Sequence, residues 1–394
     1  MKISDKFSTF SFQGKRALVR ADLNVPIQDG KVTDMTRIDR LAPTVTALRE
    51  RGAAVILMSH FGRPKGREEK YSLRPLVATL AQAFGAPVAW AEDCVGPIAE
   101  QAVHALRPGQ VLLLENLRFH PEEEANDPAF AQQLARLGDV YVNDAFSCSH
   151  RAHASTEAIA HLLPKLPGLG MEAELFHLSR VLDQPRRPVL ALIGGAKIST
   201  KLALIGNLLA KVDRLAIGGG MANTFLAAQG IAIGASLAER DMLDVARTIL
   251  AQARERDCAI LLPKDAIVAR EFRAGAPSRQ VAIDEVLPDD MILDIGPASI
   301  ADLIATLDDT RSVVWNGPLG AFEISPFDAG TKAIAAEIAR RSRDSELVSV
   351  AGGGDTVAAL GAYGKDFTYL STAGGAFLEW LEGKVLPGVA ALAD

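Results

Sequence analysis

Four segments in the first part of the chain carry an arginine or histidine at, or just after, the end of a short apolar run. They are Arg20-Ala-Asp22-Leu-Asn24, Ser59-His60-Phe61-Gly62-Arg63-Pro64, Glu115-Asn116-Leu-Arg118-Phe-His120, and Asn143-Asp144-Ala-Phe-Ser147 followed by His150-Arg151. A guanidinium is a fixed fork of donors that matches two oxygens of a phosphate or carboxylate. A single such arginine is ordinarily a surface partner of a nearby acid. Four run ends sharing the feature describe a pocket for a small, multiply anionic ligand, provided the runs are parallel strands whose carboxyl ends meet at one edge.

The second part changes character. Its run ends read Gly194-Gly195-Ala-Lys197-Ile-Ser-Thr-Lys201, Gly218-Gly219-Gly220, Asn316-Gly317-Pro318, Gly352-Gly353-Gly354-Asp355-Thr356 and Thr372-Ala373-Gly374-Gly375. Glycine lets backbone N–H groups approach a ligand, and a following helix N-terminus favours negative charge. The pattern suits a phosphate-bearing nucleotide, although one such turn is also ordinary strand-to-helix geometry. Lys197 and Lys201, four apart, are expected on one face of the helix after Gly195, within reach of phosphates. Asp355 would repel phosphates unless Mg²⁺ lies between; as an N-cap it would need no metal. Neither GxxxxGK[ST] nor GxGxxG follows a strand, which removes the main signal for a P-loop enzyme or a standard dinucleotide-binding dehydrogenase. No trustworthy Ser-His-Asp spacing and no HxxxH or HExxH spacing occurs.

The elements that position these residues follow from the runs. Ala17–Arg20, Ala53–Met58, Val111–Leu114, Val140–Val142, Val189–Ile193, Leu215–Ile217, Ala259–Leu262, Met291–Leu293, Val313–Trp315 and Leu347–Val350 lack alternation, as strands buried on both faces do. Segments such as Thr36–Arg51, Leu73–Phe84 and Thr331–Arg341 have helical spacing between them. The alternation predicts an α/β fold of two doubly wound domains with mainly parallel sheets. A helix over Met171–Leu182, between proline and glycine breakers, is expected to be a stiff connector. The acid run Glu122–Glu124 reads as a solvated helix start without function.

Composition narrows the class. Of 394 residues, 48% are hydrophobic and 23% charged, a globular balance. The net charge of -6 argues against a generally basic nucleic-acid binder. Residues 1–170 carry a net +1 and residues 171–394 a net -7, so the halves are built for different ligands. Cys94, Cys148 and Cys258 form no CxxC pair, against a disulfide framework or thiolate zinc site. Met1–Phe12 is broken by charges and has no apolar core of a signal peptide. The uncharged stretch Leu215–Ala238 is interrupted by glycines and reads as strand, turn and helix rather than a membrane span. A reduced, cytoplasmic protein with no nucleic-acid or membrane partner is expected.

These segments, together with His150-Arg151-Ala-His153-Ala-Ser155, Gly218–Asn223, Asn316-Gly317-Pro318-Leu-Gly320 and Leu381-Glu-Gly383, resemble phosphoglycerate kinase in order and spacing over essentially the full chain. The resemblance implies Mg²⁺-dependent transfer of the acyl phosphate of 1,3-bisphosphoglycerate to ADP, giving 3-phosphoglycerate and ATP. It implies an N-terminal substrate domain (1–168, with 378–394 packing back on it), a connecting helix (169–186), a C-terminal nucleotide domain (187–377), closure about the helix, and a monomer. Asp22 and Asn24 would hold the glycerate end. His60, Arg63, Arg118 and Arg151, with Phe61 and Gly62, would hold the non-transferred phosphate, and Arg37 would point at the group transferred. Lys201 would meet the α-phosphate. Asn316, Pro318 and Glu323 would meet the nucleoside and phosphates, with Gly194, Gly195, Gly218, Gly219, Gly352 and Gly354 forming the cradle. Asp355 and Thr356 would carry Mg²⁺ and phosphate. Lys197, with the N–H groups around Gly353 and Gly375, would surround the group in flight. Ala373 departs from the family's usual glycine, with little loss expected unless the position needs positive φ. Two other classes compete: a dehydrogenase acting on a phosphorylated acid, betrayed by nicotinamide absorbance, and a non-catalytic anion receptor, betrayed by an export signal.

Overall fold

Runs of Val, Leu, Ile and Ala that lose all solvent contact become the central strands of two sheets. A computed structural model of the chain describes residues 6–393, so Met1–Asp5 of the segment read for a signal peptide, and Asp394 at the returning end, lie outside it. The chain divides into two units. One runs to Leu175 and takes in the chain again from Val385; the other is Phe176–Lys384. The division falls inside the helix Leu169–Leu182.

The first unit is built on six parallel strands in the spatial order Val88–Ala91, Val111–Leu114, Ala54–Met58, Arg16–Arg20, Val140–Asn143, Lys165–Pro167. From Arg16–Arg20 the chain builds one side first, passing from Ala54–Met58 to the edge strand Val88–Ala91 and back to Val111–Leu114 between them, and then reverses to the other side. Such a reversal opens a crevice beyond the carboxyl ends of the strands. Helix Thr36–Glu50 covers one face through Ile38, Leu41, Thr44, Val45 and Leu48, the spacing of a single helical stripe. Thr44 Oγ1 accepts the Leu169 N–H at 3.0 Å, tying this helix to the start of Leu169–Leu182. The segment after Lys384 adds Pro387–Ala390: Gly388 N–H donates to the Ser149 carbonyl (2.9 Å), and Asn143 Nδ2 donates to the Gly388 carbonyl (3.3 Å).

The second unit has six parallel strands in the order Ala259–Leu261, Arg214–Ile217, Val189–Ile193, Ser312–Asn316, Val348–Gly352, Tyr369–Ser371. Ranked along the chain, this is the order 3-2-1-4-5-6 of a doubly wound nucleotide-binding sheet, reached without the GxGxxG fingerprint. Met291–Ile295, expected among the parallel strands, instead pairs antiparallel with Asp265–Ala269, which also pairs with Ser278–Ala282. Ser278–Ala282 is exposed at four of its five positions, so it has no apolar run to reveal it. Leu215–Ala238 does form strand, turn and helix, the helix being Gly219–Ala228. No helix among the described residues is long and apolar enough to cross a membrane.

Candidate active site

In the first unit the strand ends converge as their spacing required. Asp22 Oδ1 accepts from its own turn (Asn24 N–H, 3.1 Å) and from Arg37 Nη1 (3.1 Å), and Ser147 Oγ donates to Oδ2 at 2.5 Å. Arg37, in the first turn of helix Thr36–Glu50, also donates through Nη1 to the Asn24 carbonyl (2.5 Å). Asn24 Oδ1 accepts the Gly62 N–H (2.9 Å), and Arg118 Nη1 donates to the Gly62 carbonyl (2.8 Å). Asn116, fully buried, receives the Phe61 and Arg118 N–H groups on Oδ1 and so joins two strand ends. His60 is 7% exposed. Burial holds its imidazole well below the usual histidine range, and Arg20, Arg118, Arg37 and His153 push the same way. His153 falls to about 4 through burial, with Arg20, Arg118, Arg151 and His150 adding to it. Arg20 and Arg118 thus act on both histidines, Arg37 on His60 and Arg151 on His153.

Two arginines decide between a ligand pocket and a surface of ion pairs. Arg118 faces Glu124 (3.0 Å) and Arg37 faces Asp22. The guanidinium groups of Arg63 and Arg151 are exposed and have no hydrogen-bonding or ionic partner among the described residues. Unpaired cations held beside paired ones suit an anion that arrives from outside. Sequence reasoning missed the layer beneath. Arg20 is 1% exposed and forms the floor rather than the rim. Glu122–Glu124 is a turn, not a helix start, and Glu123 is fully buried, accepting from Ser155.

In the second unit the centre is Asn316, at the carboxyl end of Ser312–Asn316. Its Oδ1 accepts Lys201 Nζ (2.6 Å) and its Nδ2 donates to the Gly352 carbonyl (2.8 Å). Thr356 Oγ1, buried, accepts the Gly317 N–H (2.8 Å). Burial holds Lys201 below the usual lysine range, opposed by Glu382 and Asp355. Gly194 and Gly317 lie back to back across the sheet's reversal point. A Cβ on Gly194 would overlap the Pro318 carbonyl oxygen, and one on Gly317 the Gly194 carbonyl. Trp315 Nε1 donates to the Gly317 carbonyl (2.7 Å), locking the turn onto the core.

Lys197 and Lys201 do not share a helix face. The helix begins only at Leu202 (Leu202–Leu208), with Lys201 at its N-cap position. Glu239 accepts from Ser199 N–H (3.0 Å) and Oγ (2.5 Å), and Ile198 is buried, so this segment is pinned as a loop. Lys197 is exposed on that loop and is not bonded to the Asn316 cluster. Asp355 is not a cap either: Gly353, at φ +103°, caps Gly354–Leu360, and Asp355 follows in its first turn, exposed. Ala373 has no positive φ and is buried, so its methyl group fits. Gly375 is the first residue of helix Gly375–Leu381, and Gly218 caps Gly219–Ala228.

Beside this cluster lies a cleft of about 540 Å³. Its lining includes the expected Gly195, Gly219, Pro318, Glu323 and Asp355. Leu237 and Phe272, large apolar side chains left exposed, also line it. They sit outside any periodic run, so no sequence pattern marked them. Asp294 lines it too; burial pushes its carboxyl up to about 7, against the N–H groups of Gly330 and Ile295, and Asp328 adds to the rise. A mainly apolar cleft beside clustered backbone donors and a buried lysine suits a nucleoside with its phosphates.

The family model described as phosphoglycerate kinase matches residues 7–384. The chain is 60% identical over 383 residues to the phosphoglycerate kinase of Methylorubrum populi, covering 96% of each. It is 59% identical over 386 residues to that of Rhodospirillum centenum, covering 97% of each. Among solved structures, phosphoglycerate kinase from Coxiella burnetii superposes with a TM-score of 0.91 at 41% identity, covering 98% of this chain and 97% of that one. The enzyme from Pyrococcus horikoshii OT3 gives 0.80 at 30% identity over the same shares.

Proposed function

The chain belongs to the phosphoglycerate kinase family, and from that premise we propose how its residues perform the family's reaction, reversible transfer of the acyl phosphate of 1,3-bisphosphoglycerate to ADP. The first unit holds the glycerate. Asp22 and Asn24 take the hydroxyl and carboxyl end; His60, Arg63, Arg118 and Arg151 take the phosphate that stays. Arg37 reaches the phosphate that moves. The reading is carried by Arg63 and Arg151, exposed and unpaired on the loops that follow the strands Ala54–Met58 and Val140–Asn143. Arg63→Ala raises KM for 3-phosphoglycerate by about tenfold, the worth of one hydrogen bond to a charged group, and leaves KM for ATP unchanged. Steady-state kinetics with each substrate varied checks this; an effect confined to ATP contradicts the division of labour.

The second unit holds the nucleotide. The cleft takes the nucleoside, and Lys201, Asn316 and the N–H groups from Gly352 to Gly354 take the phosphates. Lys197 and the N–H groups around Gly353 and Gly375 are assigned to the group in transfer. Phosphoryl transfer asks for in-line placement and neutralised oxygens rather than covalent help from the protein. The leaving carboxylate needs no general base. Because water competes for an acyl phosphate, the two bound substrates must meet in a site that excludes it.

Asp355 fits a magnesium ligand: it is an oxygen donor on the cleft wall, exposed, with no hydrogen bond or ion pair among the described residues. Bound Mg²⁺, a hard cation usually held by one or two carboxylates and substrate phosphates, would neutralise the nucleotide's charge. Asp355→Ala raises the Mg²⁺ concentration for half-maximal rate by about tenfold, as loss of one charged ligand should. An unshifted dependence removes the carboxylate from the metal site. The decisive test of the whole reading is a coupled assay with 3-phosphoglycerate and Mg-ATP, with Lys201→Ala alongside; no 3-phosphoglycerate-dependent ADP release overturns it.

A further inference from the structure

Below the arginine rim lies a chain of buried polar groups whose donor and acceptor roles are all forced. Arg20 Nε donates to Ser155 Oγ at 2.7 Å, and Nη1 donates to the Ala21 carbonyl at 2.5 Å. Ser155 has one hydroxyl proton, and Glu123 Oε1 takes it at 2.5 Å, while Oε2 accepts the Ser155 N–H at 3.0 Å. Tyr141 Oη donates to the Ser155 carbonyl (2.8 Å) and closes the network from the next strand. Arg20, Glu123, Ser155 and Tyr141 are each at most 1% exposed. An arginine this buried is tolerated only when its charge is answered, and Glu123 answers it through Ser155.

The remaining arm, Arg20 Nη2, lies 3.2 Å from His60 Nδ1. A guanidinium only donates, so Nδ1 must accept. Neutral imidazole has one donor and one acceptor nitrogen, and the proton is therefore on Nε2. An imidazolium would turn an N–H against an N–H. Arg118, Arg37 and His153 all disfavour positive charge on the ring, and Cys148 Sγ, 3.8 Å from Nδ1, is a weak partner held as thiol by burial. Asp22, whose carboxylate comes within 4.8 Å of a ring nitrogen, is the one group there that favours the charged form, and its oxygens are already engaged by Arg37 and Ser147. His60 Nε2 has no hydrogen-bond partner among the described residues.

We propose that Glu123, Ser155 and Arg20 form a positioning relay that locks His60 in its Nε2–H tautomer, so that the pocket offers the ligand's phosphate an uncharged directional donor amid the arginines. The inference rests on reading this pocket as the phosphoglycerate site. It assigns Glu123, Ser155 and Arg20 to orientation; none of them is a catalytic residue. The positive charge comes from arginines alone, and His60 supplies direction without titrating.

The test is two-bond ¹H–¹⁵N correlation spectroscopy on the full chain with ¹⁵N-labelled histidine, His60 being assigned by the signals lost in His60→Gln. The expected result is a pyridine-type Nδ1 and a pyrrole-type Nε2, unchanged from about pH 5 to 8, where an ordinary histidine titrates. An Nδ1–H tautomer, or an imidazolium appearing in that interval, overturns the lock. Glu123→Gln and, separately, Ser155→Ala should mix the tautomers and raise KM for 3-phosphoglycerate by about tenfold, with kcat and KM for ATP unchanged. A pure Nε2–H signal retained in both folded variants overturns the relay. The wild-type spectrum decides the lock even if a variant does not fold. A wild-type chain that shows the Nε2–H tautomer but whose spectrum is unmoved by 3-phosphoglycerate keeps the lock and refutes the site reading; binding with the Nδ1–H tautomer does the reverse.

Discussion

Arg37→Ala lowers kcat by about 10²-fold or more, the scale of losing one preorganised donor to a charge that develops in the transition state, with little change in KM for ATP. Arg37 sits in the first turn of its helix, with Nη1 committed to Asp22 Oδ1 and the Asn24 carbonyl. That double contact fixes the plane of the guanidinium before any ligand arrives. Nε and Nη2 have no protein partner among the described residues and remain free for a phosphoryl oxygen. Preorganisation is the source of the large effect: the donors need no reorientation as the charge forms. Arg37→Lys restores the charge but not the fork and should recover only part of the rate. Initial rates in both directions check the prediction. A loss under about threefold, less than one ordinary hydrogen bond is worth, takes Arg37 out of the transfer step.

Gly194→Ala is the second large effect, on the second unit. The added methyl group would overlap the Pro318 carbonyl oxygen, and this neighbour is backbone, not the yielding end of a side chain. The Asn316-Gly317-Pro318 turn must move, yet it is held by the Trp315 indole and by Thr356. Unfolding by denaturant should show a loss of about 3 kcal/mol, the upper part of the usual range for overpacking. The same displacement pulls Asn316 away from Lys201, so KM for ATP should rise while KM for 3-phosphoglycerate holds. An unchanged midpoint with unchanged ATP kinetics would mean that the two turns are not in contact.

Sequence patterns reached the parts of the fold that a strand's two faces dictate. Val189–Ile193 and Val111–Leu114 are apolar throughout because both faces are covered. Ser278–Ala282 could not be found that way: an edge strand of Ser, Arg and Gln carries no run. Strand ends gave Asp22, His60, Arg118 and Asn316 because topology brings all carboxyl ends to one edge. What lay out of reach depends on partners distant in sequence. Glu122, Glu123 and Glu124 are one residue type in a row, but only Glu123 turns inward, toward Ser155 thirty-two positions later. Lys197 and Lys201 have helical spacing, and Glu239 overrides it forty positions away. No local window contains either decision.

The return of the chain at Val385 ties this pocket to the order of synthesis. Asn143 leaves the ribosome 245 residues before Gly388, whose backbone fastens it and Ser149. Until then the nascent first unit has its parallel strands but lacks the clasp behind His150 and Arg151, while the second unit is already whole. The first unit's pocket is therefore expected to mature after translation has passed the second unit, and on the proposed division of labour a chain stopped at Lys384 should retain ATP while losing its grip on 3-phosphoglycerate.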